Sequence, residues 1–199
     1  MSGFYLALEG GEGAGKTTLA KLVCDQLEHE GHQVVLVREP GGTTLGDEIR
    51  SLVLQSEAMS PWAEAFLFAT QRAQLVSEVV GPALAEGKLV VTDRSLYSSL
   101  AYQGGARGLG IDRVRALNLL AVEGCIPDLV VVLEVEPEIG MARQDSPPDR
   151  IGGETPEFQA KVAEAYRELA RQEPDRVFLV PAEDDPVQVL KRVRELIEL

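Results

Sequence analysis

The chain has 199 residues, with 19 Lys and Arg against 32 Asp and Glu for a formal charge of −13, and 45% of its residues are apolar. That length supports one proper core and not two, so a single domain over 1–199 is expected. The acidic balance argues against a partner that is a nucleic acid polymer or an anionic membrane, since both are met with Lys and Arg. Any phosphate bound here must be met locally.

Cys24 and Cys125 stand far apart and form no CxxC pair, which argues against a disulfide framework or zinc site. The N-terminus lacks a targeting pattern and no apolar run reaches the ~18 residues of a membrane span, so a cytoplasmic location is expected. His29 and His32 flank a polar turn. A histidine-based triad has nothing to stand on.

In chain order, strand-sized apolar runs occur at Phe4 to Leu8, Gln33 to Val37, Lys88 to Thr92, Leu129 to Val135 and Arg176 to Val180, each followed by helix-like sequence. Nearly continuous apolar strands alternating with helices predict an α/β fold: a five-stranded parallel sheet covered on both faces. A helix is expected over Thr18 to Glu28 and another over Pro61 to Val80. Ser60-Pro61, Thr155-Pro156 and Asp185-Pro186 each place a capping side chain before a proline suited to the first helical position. Gly81-Pro82 and Gly124 read as stops. Phe158, Val162, Ala165 and Leu169 keep helical spacing, as do Val187, Leu190, Arg194 and Ile197, and these read as core stripes. Two polar, turn-rich stretches interrupt the alternation, GGTTLGDEIR and ARQDSPPDRIGGET. The second reads equally as a mobile flap or an ordinary surface loop.

The strongest motif is Gly10-Gly11-Glu12-Gly13-Ala14-Gly15-Lys16-Thr17, which fits G-x-x-x-x-G-K-[ST] and lies between the first strand and first helix, with Thr18 following. Backbone N–H groups there can curl around an anion at a helix N-terminus. Lys16 then reaches the β- and γ-phosphates of a nucleotide and the Thr17 hydroxyl offers a hard ligand to Mg²⁺. The only asparagine, Asn118, lies in ALNLLA, so the N-K-x-D guanine reader is missing and a guanine-nucleotide switch is excluded. A motor needs more chain. Small-molecule phosphoryl transfer remains, with a non-catalytic nucleotide-binding module as the rival.

Asp93-Arg94 ends the third strand, where a carboxylate could hold Mg²⁺ and a guanidinium could grip an acceptor phosphate. Phe68 and Arg72 are four apart on one helix, as are Ser99 and Gln103. By spacing alone, Phe68 reads as core and Arg72 as a solvated charge; a nucleobase pocket is the alternative.

EGGEGAGKTT, REPGGT, FATQRAQL, DRSLYSSLAYQGG, PDLVVVLEV and DRIG together resemble the thymidylate kinases, within the nucleoside monophosphate kinases, over nearly the whole chain. The resemblance implies a three-layer P-loop kinase fold with a short lid at about 143–153, and transfer of the γ-phosphoryl of ATP to dTMP with Mg²⁺. A kinase of another nucleoside monophosphate or nucleoside is the alternative. By resemblance, Phe68 stacks on thymine, Arg72 bonds its exocyclic oxygen, and Ser99 and Gln103 meet the base edge, with Ser98 beside them. Tyr102 lies beside the sugar and disfavours a 2′-hydroxyl, Arg50 and Arg94 lie near the acceptor phosphate, Glu12 faces the sugar and metal, and Glu39 lies near the same nucleotide. A homodimer is also implied. Some members carry an arginine within the P-loop where this chain has Gly13, so a lid arginine must supply the transition-state cation. Arg150 matches best and Arg143 second.

Overall fold

A computed structural model describes residues 3–143 and 149–197. Five strands form, β1 (Phe4–Gly10), β2 (Val34–Arg38), β3 (Leu89–Asp93), β4 (Leu129–Glu134) and β5 (Val177–Pro181), with helices α1 (Lys16–His29), α2 (Thr44–Gln55), α3 (Pro61–Leu75), α4 (Gly81–Ala85), α5 (Leu96–Ser99), α6 (Ile111–Val122), α7 (Pro137–Ala142), α8 (Pro156–Gln172) and α9 (Pro186–Leu196). The sheet order is β2-β3-β1-β4-β5 and every pairing is parallel. The chain leaves β1 toward one edge and later crosses back to add β4 on its other side. That reversal opens a crevice at the carboxyl end of β1, where α/β proteins bind ligands.

Alternation along β1 divides the core. Leu6 and Leu8 pack against Leu19, Val23 and Leu27 of α1 and Val189 and Val193 of α9. Ala7 faces the opposite way, into Val130, Val132 and the α8 residues Tyr166 and Leu169. Tyr5 joins Leu75 and Val80 near the β2 edge. Helices therefore cover both faces, which is why the strands read as unbroken apolar runs. Each fully buried Leu or Val here stabilises the fold by ~1.5–3 kcal/mol. No helix of the described residues is long and apolar enough to cross a membrane.

The three expected caps form: Ser60 Oγ accepts from Ala63 N, Thr155 Oγ1 from Phe158 N and Asp185 Oδ1 from Val187 N. The α8 stripe is buried as read, and α6 ends before Glu123 and Gly124, both at positive φ. Three expectations are corrected. Gly81-Pro82 does not stop the helix: α3 passes through a wide π-helical turn, Val76–Val80, in which Gly81 N–H bonds Val76 O five residues back, and Pro82 then falls in the first turn of α4, where its missing N–H leaves no gap. GGTTLGDEIR is a turn only at its start. Thr43 Oγ1 accepts from Gly46 N at 3.0 Å and launches α2. In α9 the buried residues are Val189, Val193 and Ile197 with Leu190 packed beside them, so the expected stripe holds at Leu190 and Ile197 but not at Val187, which is half exposed. Of the lid, the Gln144 to Pro148 portion, including Pro147-Pro148, lies outside the described residues.

Candidate active site

Gly15 opens α1 at φ 90° without a side-chain cap, so the first-turn N–H groups are left to an external acceptor. Gly13, at φ 70°, passes so close to α7 that a Cβ on it would lie 1.9 Å from Gly140 O. No side chain fits at position 13 in this arrangement, whereas a Cβ on Gly11 would meet nothing within 4 Å. Lys16 Nζ folds back over the loop, donating to Gly11 O at 2.6 Å and Gly10 O at 3.3 Å. Burial, reinforced by nearby Arg94, pushes its pKa down to about 8. The loop from Glu12 to Thr18 forms one wall of a cavity of about 560 Å³, closed by Arg38, Arg50, Asp93 and Arg94 at one end and by Arg143, Ala182, Asp184 and Pro186 at the other. Gly10 and Gly11 line a separate small pocket and serve the site through their carbonyls.

Asp93 and Arg94 come from the end of β3. Register places Asp93 beside Leu8, and Thr17 Oγ1 donates to its Oδ2. Arg94 takes the left-handed backbone at φ 74°. A buried carboxylate that the sequence reading missed holds this turn: Glu9 accepts from Ser95 N (2.8 Å), Ser95 Oγ (2.7 Å), Ser98 Oγ (2.6 Å) and Tyr166 OH (2.7 Å). The Arg94 guanidinium is thereby aimed back at the glycine loop. It pairs with Glu12, donates to Gly10 O at 3.2 Å and lies 5.2 Å from the Tyr102 ring centre. Arg94 in turn holds the Glu12 carboxyl below the usual carboxylate range.

A second cavity, about 100 Å³, adjoins the first. Phe68, Ser98, Ser99, Tyr102 and Gln103 line it, and Glu12, Glu39, Arg50 and Arg94 line both cavities. The REPGGT loop is tied to α3 by Gln71, whose Nε2 donates to Glu39 at 2.6 Å and whose Oε1 accepts from Gly41 N. Arg50 Nη1 donates to Pro40 O at 2.9 Å, and burial together with neighbouring Arg38 lowers its pKa. Two guanidiniums this close to each other, with Arg94 and Lys16 alongside, form a local cationic focus on an otherwise acidic chain.

Most expected residues therefore meet. Arg72 is the first exception: it is 1% exposed, neither solvated nor on the cavity wall, and sits one layer behind, donating to Ser99 Oγ, Ser95 O and Asn118 and paired with Glu39 at 2.7 Å. Its Nε has no partner among the described residues. Phe68 packs against the hydrophobic core and also lines the cavity wall. The two lid arginines part company. Arg143 faces the large cavity, donating to Ala182 O and Glu183 O at 3.1 Å. Arg150 lies beside the small one, its Nη1 2.7 Å from Glu64 and its Nε 2.8 Å from Val53 O. Besides Glu9, the sequence reading gives no role to Arg38, Glu64 or Asn118. Arg38 alone carried a signal, its place at the carboxyl end of a strand.

The family model for thymidylate kinase matches residues 8–193. A thymidylate kinase of Synechococcus sp. (strain JA-2-3B'a(2-13)) is 43% identical over 194 residues, covering 98% of this chain and 94% of that protein. One from Caldanaerobacter subterraneus subsp. tengcongensis is 40% identical over 200 residues, covering 100% and 96%. The crystal structure of thymidylate kinase from Ehrlichia chaffeensis superposes with a TM-score of 0.84 at 25% identity, each chain covered completely. On the reach of these matches, the chain belongs to the thymidylate kinase family.

Proposed function

We infer that the two adjoining cavities are the halves of one phosphoryl-transfer site, the larger for ATP and the smaller for dTMP, within one domain over 1–199 with a lid at about 143–153. The chain is an ATP-dependent nucleoside monophosphate kinase that phosphorylates dTMP to dTDP, a step toward dTTP. The observation that carries the assignment of the cavities is their shared wall of Glu12, Glu39, Arg50 and Arg94. A donor phosphate on the glycine loop and an acceptor phosphate beside Phe68 would meet there. Phosphoryl transfer asks for positioning and charge neutralisation more than covalent help. Lys16, Arg50 and Arg94 supply the charge, Glu12 orients Arg94, and no base is needed because the acceptor oxygen is already anionic.

Mg²⁺ belongs to this reading. The Thr17 hydroxyl and Asp93 carboxylate are hard oxygens in contact with each other beside the loop, and Mg²⁺ takes one or two such protein ligands while keeping water and phosphate for the rest. When bound, the ion neutralises charge on the donor phosphates.

Arg150 acts as the transition-state cation only by exchanging Glu64 for phosphoryl oxygens as the lid closes, whereas Arg143 already borders the ATP cavity. Arg150→Ala is therefore expected to lower kcat at least about tenfold with KM for ATP nearly unchanged, and Arg143→Ala to raise KM for ATP instead. Steady-state kinetics on both variants check the split, and the reverse pattern would exchange their roles.

Lys16 must be charged to hold a triphosphate. Below pH 8 it binds already protonated; above, each binding event takes up a proton, so ATP affinity falls as pH rises, by up to about tenfold per unit. Calorimetry near pH ~8.5 in buffers of unlike ionisation enthalpy reads that uptake. Lys16→Arg is expected to abolish it.

A homodimer is supported by exposed apolar side chains on the adjoining helices α2, α3 and α6: Leu52, Phe66, Leu119 and Leu120, the last 80% exposed. Leu120→Glu is expected to shift the chain to monomer in sedimentation, and an unchanged sedimentation coefficient would move the interface elsewhere. A cytoplasmic location fits the ATP and dTMP supply and the two unbridged cysteines.

The deciding assay is ADP production with Mg·ATP against dTMP, dUMP, UMP, CMP, AMP and thymidine. The reading expects dTMP to be preferred, and a higher kcat/KM for any other acceptor would overturn it.

A further inference from the structure

Glu64 lies in the first turns of α3, 1% exposed, and makes no contact with the ATP cavity. Its carboxylate accepts from Gln103 Nε2 at 2.8 Å, from Arg107 Nε and Nη2 at 3.2 Å each, and from Arg150 Nη1 at 2.7 Å. Burial alone would raise its pKa, but these hydrogen bonds outweigh burial and hold it below the usual carboxylate range. It is therefore an acceptor and nothing else.

That one-sidedness has a consequence for Gln103. A glutamine amide is nearly symmetric in shape, and its two ends differ only in whether they give or take a hydrogen. Facing an ionised carboxylate, it must turn its NH₂ toward Glu64. Gln103 lines the smaller cavity with its Nε2 held by Glu64, and no group among the described residues donates to its Oε1, which leaves that oxygen for an occupant of the cavity. An unmet acceptor there complements a ring N–H. Thymine and uracil carry a hydrogen on N3, while cytosine has a bare lone pair at the same atom, so the carbonyl attracts the first two and repels the third. Arg107 holds Glu64 in place, being itself paired with Glu154 at 2.5 Å and lying 4.5 Å over the Phe158 ring.

We propose that Glu64 is a specificity-positioning residue: it locks the Gln103 amide with its oxygen toward the base, and so selects pyrimidine monophosphates that are protonated at N3. This rests on the reading of Gln103 as a base contact, and the test separates the two. The probes are dTMP and 5-methyl-dCMP, which share the methyl group and sugar and differ at C4 and N3. Each variant is compared with wild type by the ratio of kcat/KM for the two, so a general loss of rate cancels, as does the C4 contribution.

Glu64→Gln replaces the carboxylate with a group that gives as well as takes, freeing Gln103 to turn over, and the preference for dTMP is expected to fall at least about tenfold. Glu64→Asp keeps the acceptor-only polarity, so the preference survives although the rate drops. Equal losses on both nucleotides in Glu64→Gln, or as large a loss of preference in Glu64→Asp, would overturn the proposal. Gln103→Ala distinguishes the underlying reading: an unchanged ratio there removes Gln103 from the base edge and the proposal with it, while a changed ratio in Gln103→Ala but not in Glu64→Gln sinks Glu64 alone. Should Glu64→Gln fail to fold, a crystal structure of the wild-type protein with dTMP decides, since Glu64 and the Gln103 amide must stay within hydrogen-bond distance of about 3.5 Å and a wider gap contradicts the mechanism.

Discussion

Lys16→Ala is expected to lower kcat by ~10²–10³ while the protein stays folded. Lys16 is 6% exposed, and its ammonium is satisfied by two loop carbonyls, Gly10 O and Gly11 O, which are the partners it would share with a triphosphate. Because its charge is fixed before the reaction, it stabilises growing negative charge on the transferred group without reorganisation. Folding does not depend on it: with a pKa lowered to about 8 against an ordinary 10.5, the charged form is disfavoured in the folded state, and that penalty is present below pH 8 and relieved as pH rises toward 10.5. Thermal denaturation of Lys16→Ala at neutral pH should therefore show a Tm no lower than wild type. Near-normal turnover in a folded Lys16→Ala protein would mean that the loop does not hold the donor phosphates.

Arg94→Ala should cost about as much, and in a different place. The side chain lines both cavities and carries the only described ion pair of Glu12, so its removal takes a cation from the meeting point and leaves a half-buried carboxylate unpaired. The expected result is a fall of ~10²–10³ in kcat/KM for dTMP, with a much smaller change in ATP binding measured in the absence of acceptor. Backbone strain does not confound the comparison, since alanine at φ 74° is disfavoured as arginine is. Arg94→Lys should recover only part of the loss, because an ammonium cannot match the planar fork that meets Glu12, Gly10 O and Ser98 at once. Full recovery by Lys would reduce the role of Arg94 to net charge.

What could be read in advance follows from how local each signal is. The strands and the three proline-led helix starts depend on side chains within a few residues, and they stand where the apolar runs and caps put them. The glycine loop is equally local. Helix α2 was hidden because Gly46 sits in its first turn, and the π-helical turn at Val76–Val80 has no sequence mark that would reconcile a helix with Gly81-Pro82. In α9 the apolar spacing holds at Leu190 and Ile197, while Val189 and Val193 carry most of the burial and Val187 faces solvent.

The site divides along the same line. Most residues on the cavity walls, though not Arg38, are reached through short motifs, whereas Glu9, Glu64 and Asn118 look like ordinary surface or helix residues in one dimension. Their work is done across 39 to 157 positions of separation, in bonds such as Gln103 to Glu64 and Tyr166 to Glu9. Arg72 shows the limit from the other side: helical spacing suggested a solvated charge, and only the packing of α3 against α5 and α6 makes it a buried donor. The partner of Arg150 could not be read from the lid sequence either, since it lies on α3.

A crystal structure with dTMP and a non-hydrolysable ATP analogue tests the central claim most directly. The account predicts thymine against the Phe68 ring with its N3 toward Gln103, the triphosphate along Gly13 to Thr17, and the two facing phosphates at the wall formed by Arg50 and Arg94. Thymine bound away from Phe68, or a triphosphate seated off the glycine loop, would contradict it.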